Sequence, residues 1–116
     1  KDIESFLQNR LRENPIRKLY LTGHSLGGAL AVLCYIYLTL SDNPIKVDGI
    51  HTVGQPAVMN NQLREQLKLH SPNTKIVRFT NNLDPIPHLA RGGHIGTHIH
   101  IDNRGILRFV CLHFCD

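Results

Sequence analysis

Apolar and polar positions along the chain follow two alternating patterns, one helical and one typical of strands. Short β-rich runs predict three strands, at residues 18–22, 47–53 and 75–80. Segments before and between them carry apolar residues at helical spacing, over residues 1–13, 26–40 and 58–70. The order is therefore α-β-α-β-α-β. This alternation favours an α/β fold in which a parallel sheet is covered by helices.

The pattern changes after Asn81. Four turn-forming residues then mark an irregular loop: Pro85, Pro87, Gly92 and Gly93. Residues 94–102 and 106–112 have the composition of two further strands, and residues 103–105 (Asn-Arg-Gly) are typical of a hairpin turn between them. With 116 residues, the chain forms at most one domain. Since the first residue is Lys1 rather than methionine, we expect a segment of a longer protein or a processed one, and hence a partial domain.

Composition and charge exclude several classes of function. The content of 41% hydrophobic and 19% charged residues is typical of a globular protein. The formal net charge is +4, but the thirteen Lys and Arg residues are spread along the chain and form no dense basic block. We therefore expect no nucleic-acid partner. No apolar run reaches the ~20 residues of a transmembrane helix, so we expect no membrane span.

The main chemical signal is a serine between two glycines, where a strand becomes a helix. Gly23-His24-Ser25-Leu26-Gly27 follows a β-rich run and precedes a long apolar helix. A nucleophilic serine at such a turn projects towards substrate, and glycines two residues before and after it avoid a clash between strand and helix. The Leu26 N–H then lies at a helix N-terminus, where it can stabilise an oxyanion. The alternative interpretation is a tight turn with Ser25 as helix N-cap.

A serine nucleophile needs a base and an orienting carboxylate. In hydrolases whose serine lies at such a strand-to-helix turn, the triad residues follow one another along the chain in the order serine, acid, histidine. Asp84 is the best candidate for the acid, because it lies just beyond the third predicted strand, and the carboxyl ends of parallel strands form the ligand-binding edge. Asp48 and Asp102 are weaker candidates, since one begins a strand and the other borders a hairpin.

Four segments together resemble the class 3 (fungal type) lipases, an α/β-hydrolase family. Gly23–Ala31 resembles that family's nucleophile elbow, and three later segments follow in the family's order: Thr52–Pro56, Asn82–Pro87 and His94–His98. The last of these segments, His94–His98, matches loosely, because an acidic residue and an aromatic residue usually follow the family's histidine-x-glycine. The resemblance covers about residues 15–112. It implies a serine carboxylic-ester hydrolase, a triacylglycerol lipase, that acts through a Ser-Asp-His triad without cofactor or metal. It also implies a secreted protein whose substrate is a glycerolipid ester at a lipid–water interface.

The triad histidine is the part that this chain does not identify. The family resemblance places it well beyond the histidine-x-glycine segment, so we expect it past Asp116, with His113 as second choice. We expect His24 to pack under the site, as its family equivalent does. The oxyanion loop and the lid are also expected outside the chain. We therefore expect the domain to be incomplete at both ends, and the segment alone to hydrolyse esters negligibly.

Several alternatives remain open from sequence. The fold could serve binding without catalysis, or the esterase could be of the phospholipase A1 or feruloyl esterase type. If residues 94–102 form one regular strand, four side chains on one face could bind zinc: His94, His98, His100 and Asp102. Cys34 is expected to act as a small apolar residue in its helix. Cys111 and Cys115 could form a disulfide or remain free thiols.

Overall fold

The computed structural model describes residues 2–89 and 91–111 and contains the expected succession of helices and strands. In chain order the elements are α1 (Asp2–Glu13), β1 (Tyr20–His24), α2 (Leu26–Leu40), β2 (Gly49–Val53), α3 (Asn61–His70), β3 (Lys75–Asn81), a short 3-10 helix (Ile86–His88), β4 (Thr97–Ile101) and β5 (Leu107–Cys111). The predicted strand at residues 106–112 overlaps β5, and Leu112 lies outside the described residues.

The five strands form one sheet in the order β1-β2-β3-β4-β5. The first four are parallel, and β5 returns antiparallel to β4 across the predicted hairpin turn. The carboxyl ends of β1, β2 and β3 therefore lie at one edge of the sheet. The α/β fold class predicted from the sequence is confirmed.

Because each new strand is added on the same side of the previous one, right-handed crossovers place the connecting helices on one face of the sheet. Helix α2 packs on β1 and β2, and also against α3. The core between this face and the helices is apolar and includes Val32, Tyr35, Leu38, Ile50 and Leu67. On the opposite face the side chains of β1 and β2 are exposed, among them Tyr20, His51 and Val53.

Several element boundaries differ from the prediction, including the start of β2 at Gly49 instead of residue 47, and two of the differences have a clear local cause. Strand β1 begins at Tyr20, two residues late, because the Leu19 N–H donates to the Asp48 carboxylate at 2.9 Å. Helix α3 begins at Asn61 rather than at residue 58, because the Asn60 side chain caps it by accepting from the Leu63 N–H at 2.9 Å. In the described part of the chain, no helix has both the length and the apolarity to cross a membrane.

Strand β4 is also shorter than predicted and begins only at Thr97. Gly96 has φ of 92°, and a Cβ there would lie 2.5 Å from the Ile76 carbonyl oxygen. The chain turns at this glycine because only glycine combines that backbone conformation with such a close approach. His94 therefore precedes the strand instead of belonging to it.

Candidate active site

Ser25 lies between the end of β1 and the start of α2, in a conformation that is rare for a residue with a side chain. Its φ is 52° and its ψ is −123°, and such strained backbone is typical of functional sites. Ser25 occupies the N-cap position of α2, but its side chain makes no capping hydrogen bond, and among the described residues its hydroxyl has no hydrogen-bond partner. The hydroxyl is therefore not engaged in capping the helix and is available for chemistry.

The two glycines that flank Ser25 have different roles. A Cβ on Gly23 would lie 2.2 Å from the Gly27 carbonyl oxygen, which no folded chain tolerates without movement. A Cβ on Gly27 would meet nothing within 4 Å. The sequence-based expectation that both glycines relieve a clash is thus correct for Gly23 and wrong for Gly27. Gly28 is the second close approach, with a Cβ position 3.1 Å from the Gln55 Cβ.

Backbone hydrogen bonds attach the elbow to the neighbouring strand. The Ser25 N–H donates to the Val53 carbonyl at 2.8 Å, and the Ser25 carbonyl accepts from Gly28 and Ala29. Leu26 is the first residue of α2, and the N–H groups of a first turn have no acceptor within the helix. The Leu26 N–H is thus one of the first-turn donors of α2, directly after Ser25 in the chain, and its role as oxyanion donor stays a prediction.

Asp84 lies just beyond the carboxyl end of β3, at the edge of the sheet that also carries Ser25. Its N–H donates to the Asn81 carbonyl at 2.9 Å, and its Oδ1 accepts from the Ile86 N–H at 3.0 Å. The predicted position of Asp84, after a strand parallel to β1 in the same sheet, agrees with the structure.

Gly54, at the end of β2, separates the elbow from the Asp84 loop. It has φ of 60°, and a Cβ on it would lie 2.9 Å from Asp84 Oδ2 and 3.9 Å from His24 Nε2. Only glycine leaves room there for the carboxylate. This role of Gly54 was not predicted from the sequence, although a glycine directly after a predicted strand was a usable signal.

None of the described histidines forms a hydrogen bond with Ser25 or Asp84. His24 is exposed at the end of β1 rather than packed under the site, because no described residue covers that face of the sheet. His113 lies outside the described residues. The structure therefore brings the candidate nucleophile and acid to one edge of the sheet, and no histidine in residues 2–89 and 91–111 bridges them.

The weaker acid candidates have structural roles. The hydrogen bond from the Leu19 N–H, reinforced by Lys46, lowers the pKa of Asp48 at the amino end of the sheet. Backbone N–H groups of Ile106 and Arg104 lower the pKa of Asp102, whose Oδ1 accepts from both in the hairpin turn. Neither carboxylate is free to orient a catalytic histidine.

A group of cationic and imidazole side chains lies on the helix-covered face of β3 and β4. Arg78 is only 4% exposed, and its Nε has no hydrogen-bond partner. It pairs in register with His98, and burial lowers its pKa to about 10. The Thr80 hydroxyl contacts His98 Nε2 at 2.8 Å and His100 Nδ1 at 3.0 Å. The sequence signal for this group was a charged residue, Arg78, within the apolar run of the predicted strand.

The zinc interpretation of the histidine strand is not supported. His94 is separated from β4 by Gly96, and the Asp102 carboxylate is bound within its turn. In residues 2–89 and 91–111, no three His, Cys, Asp or Glu side chains are placed to hold one metal ion.

Two remaining features lie away from the elbow. A cavity of about 510 Å³ opens between α3 and the amino ends of β3 and β4, at the opposite edge from Ser25, so it is not the site of the proposed chemistry. Cys34 is a free, half-buried thiol beside the core, and burial raises its pKa. Cys115 and the side chain of Cys111 fall outside the described part of the chain.

Comparisons with known proteins bear on the family and on the fold. A family model described as "Lipase (class 3)" matches residues 1–93. The curated relative "Triacylglycerol lipase OBL1" of Nicotiana tabacum is 38% identical over 92 residues, which cover 75% of this chain and 16% of the relative. The chain thus spans about a sixth of that protein's length.

Solved lipases share the fold. The crystal structure of a lipase from Rhizopus microsporus var. chinensis aligns with a TM-score of 0.82 at 26% identity, over 99% of this chain and 42% of that one. A triacylglycerol lipase described as having a serine protease triad as its catalytic centre aligns with a TM-score of 0.80 at 26% identity, over 97% of this chain and 44% of that one.

Proposed function

The chain belongs to the class 3 lipase family, and from that premise we propose that the protein carrying it is a serine carboxylic-ester hydrolase with Ser25 as nucleophile. One observation carries the proposal: Ser25 has a strained positive φ and an unengaged hydroxyl at the same sheet edge as the Asp84 carboxylate. The proposed substrate is a triacylglycerol, because the tobacco relative is named as a triacylglycerol lipase.

The reaction is an acyl transfer in two steps. Ser25 Oγ attacks the ester carbonyl while a histidine accepts the serine proton, and the Leu26 N–H stabilises the oxyanion of the tetrahedral intermediate. The intermediate collapses to an acyl-serine, and the alcohol leaves with the proton that the histidine returns. Water then attacks the acyl-serine by the same route and releases the carboxylic acid. Asp84 holds the histidine in the required tautomer and stabilises its cation.

We place the histidine beyond Asp116, with His113 as second choice, because no described histidine forms a hydrogen bond with Asp84. The second oxyanion donor and a lid are likewise proposed outside the chain. Secretion and action at a lipid–water interface remain part of the proposal, on the strength of the family alone.

The second candidate function is binding without catalysis. A lipase-like fold that has lost its base would keep the elbow and Asp84 but bind esters without hydrolysing them. Such a protein would keep the strained serine, since the close approach of Gly23 to Gly27 holds that turn regardless of catalysis.

The test is hydrolysis of p-nitrophenyl butyrate and of emulsified triolein by the full-length protein. We expect Ser25→Ala to lower kcat by about 10⁴-fold or more, and Asp84→Asn by about 10³–10⁴-fold. Ser41→Ala, at the end of α2, is the matched control and should leave kcat unchanged. An inactive wild-type protein that still binds the ester would support the binding function, and an active Ser25→Ala variant would contradict the nucleophile.

A further inference from the structure

A histidine outside the proposed triad, His94, contacts the loop that carries Asp84. His94 Nε2 lies 3.3 Å from the Pro87 carbonyl oxygen, which can only accept. The imidazole must therefore carry its proton on Nε2 and donate it to Pro87. Pro87 is buried in the short 3-10 helix that follows Asp84.

One residue separates this contact from the Asp84 carboxylate. The Ile86 N–H, adjacent to Pro87, donates to Asp84 Oδ1 at 3.0 Å, while Asp84 Oδ2 lies against Gly54. The direction of the carboxylate thus depends on where the 3-10 helix is placed. His94 is the side chain that fixes the buried middle residue of that helix.

We propose that His94 is a positioning residue for the ester hydrolysis, acting through Pro87 and Ile86 on the orientation of Asp84. The proposal rests on the proposed function, because it assigns His94 a role only if Asp84 serves a catalytic histidine. His94 touches neither substrate nor reacting atoms. Its contribution is to keep the acid within the small tolerance that catalysis requires, where a displacement of ~1 Å can cost ~100-fold in rate.

The surroundings of His94 favour its neutral form, in which Nε2–H donates to Pro87 and the unpartnered Nδ1 carries no proton. Its Nδ1 is buried without a hydrogen-bond partner, so a second proton there would have no acceptor. The charged and titratable groups that face it are Arg78 on β3, His98 on β4 and His88 on the 3-10 helix, and none is acidic. Burial, followed by the Arg78 charge, lowers the pKa of His94 to about 4.

The experiment compares His94→Gln with His94→Leu in the full-length protein. Glutamine keeps an N–H donor near the position of Nε2 but does not titrate, whereas leucine removes the donor at similar volume. With p-nitrophenyl butyrate at pH 8 we expect His94→Leu to lower kcat about tenfold or more with KM within about twofold. His94→Gln should keep at least about a third of kcat.

The pH profile gives a readout that a purely structural role would not move. Below about pH 5 the wild-type profile should fall more steeply than that of His94→Gln. A second proton on the buried Nδ1 has no acceptor and faces Arg78, so we expect the charged ring to leave its place beside Pro87, in addition to the protonation of the triad base. Thermal unfolding midpoints of each variant correct the rates for the folded fraction. Equal corrected kcat values for leucine, glutamine and wild type would overturn the inference.

Ser25→Ala separates this inference from the proposed function. If wild type is active and Ser25→Ala is inactive while His94→Leu matches wild type, only the role of His94 fails. If Ser25→Ala is as active as wild type, the proposed function fails, and the role of His94 fails with it.

Discussion

At the residue scale, the candidate site depends on how little space surrounds one backbone turn. The sequence motif correctly predicted that Ser25 lies at a strand-to-helix apex, because glycines two residues before and after a serine indicate a tight turn. The motif could not show which of the two positions requires glycine, because that depends on which backbone atoms the helix brings close to each Cα. Only the folded geometry shows that Gly23 faces the Gly27 carbonyl while the Gly27 side-chain position is open.

The two glycines provide a matched pair of substitutions. Gly23→Ala should lower the free energy of unfolding by about 3 kcal/mol or more, because its methyl group would overlap the Gly27 backbone. Gly27→Ala should stay within about 1 kcal/mol of wild type, since alanine favours the helix and meets no atom. Urea unfolding of both variants measures the difference, and equal losses would show that the elbow is not packed as described.

At the element scale, β3 and β4 carry the buried charge of Arg78, for which no described residue supplies a counter-charge. The sequence predicted both strands, but it set the start of β4 too early because the backbone turn at Gly96 is a tertiary contact with Ile76. It also treated the histidines as a possible metal site. The register of β3 with β4 instead places His98 opposite Arg78, and no pattern in a single sequence gives that register.

This pairing predicts acid sensitivity. Burial, and then Arg78, lowers the pKa of His98 from 6.5 to about 4, so the unfolded chain takes up a proton before the folded chain does. The free energy of unfolding should therefore fall as the pH drops from about 6.5 through 4. In the variant His98→Glu this titration is absent and the glutamate can pair with Arg78. We expect its free energy of unfolding at pH 4.5 to be higher than that of wild type by about 1–2 kcal/mol.

Urea unfolding at pH 7 and pH 4.5 tests this expectation. His51→Glu is the control, because His51 lies exposed on β2 and points to the opposite face of the sheet. If His98→Glu and His51→Glu change acid stability equally, the Arg78 pairing is not the cause.

At the scale of the whole molecule, helix α2 covers one face of β1 and β2, and no described residue covers the other face. The exposed side chains Tyr20, Thr22, His51 and Val53 lie on that other face, and among the described strands β1 pairs with β2 alone. The sequence predicted the layers correctly from the helix–strand alternation. The exposed face could not be predicted, since alternation in β1 and β2 looks the same whether the second face meets solvent or protein.

The chain expressed by itself should therefore self-associate through β1. An open strand edge offers unpaired N–H and C=O groups to another chain, and a lysine on the edge opposes such pairing. Thr22→Lys should reduce the aggregated fraction in light scattering after size exclusion, whereas Asn73→Lys, in an exposed turn with the same charge, should not. A monomeric wild-type chain at high concentration would contradict the expectation.

The Thr80 hydroxyl has a consequence for the two imidazoles that contact it. A hydroxyl has one proton to donate, while two ring nitrogens approach its oxygen, His98 Nε2 and His100 Nδ1. When both rings are neutral and both contacts are hydrogen bonds, one nitrogen accepts the hydroxyl proton and the other donates its own. The tautomers of the two histidines are then correlated: rotation of the Thr80 hydroxyl exchanges the roles only if both rings change tautomer together.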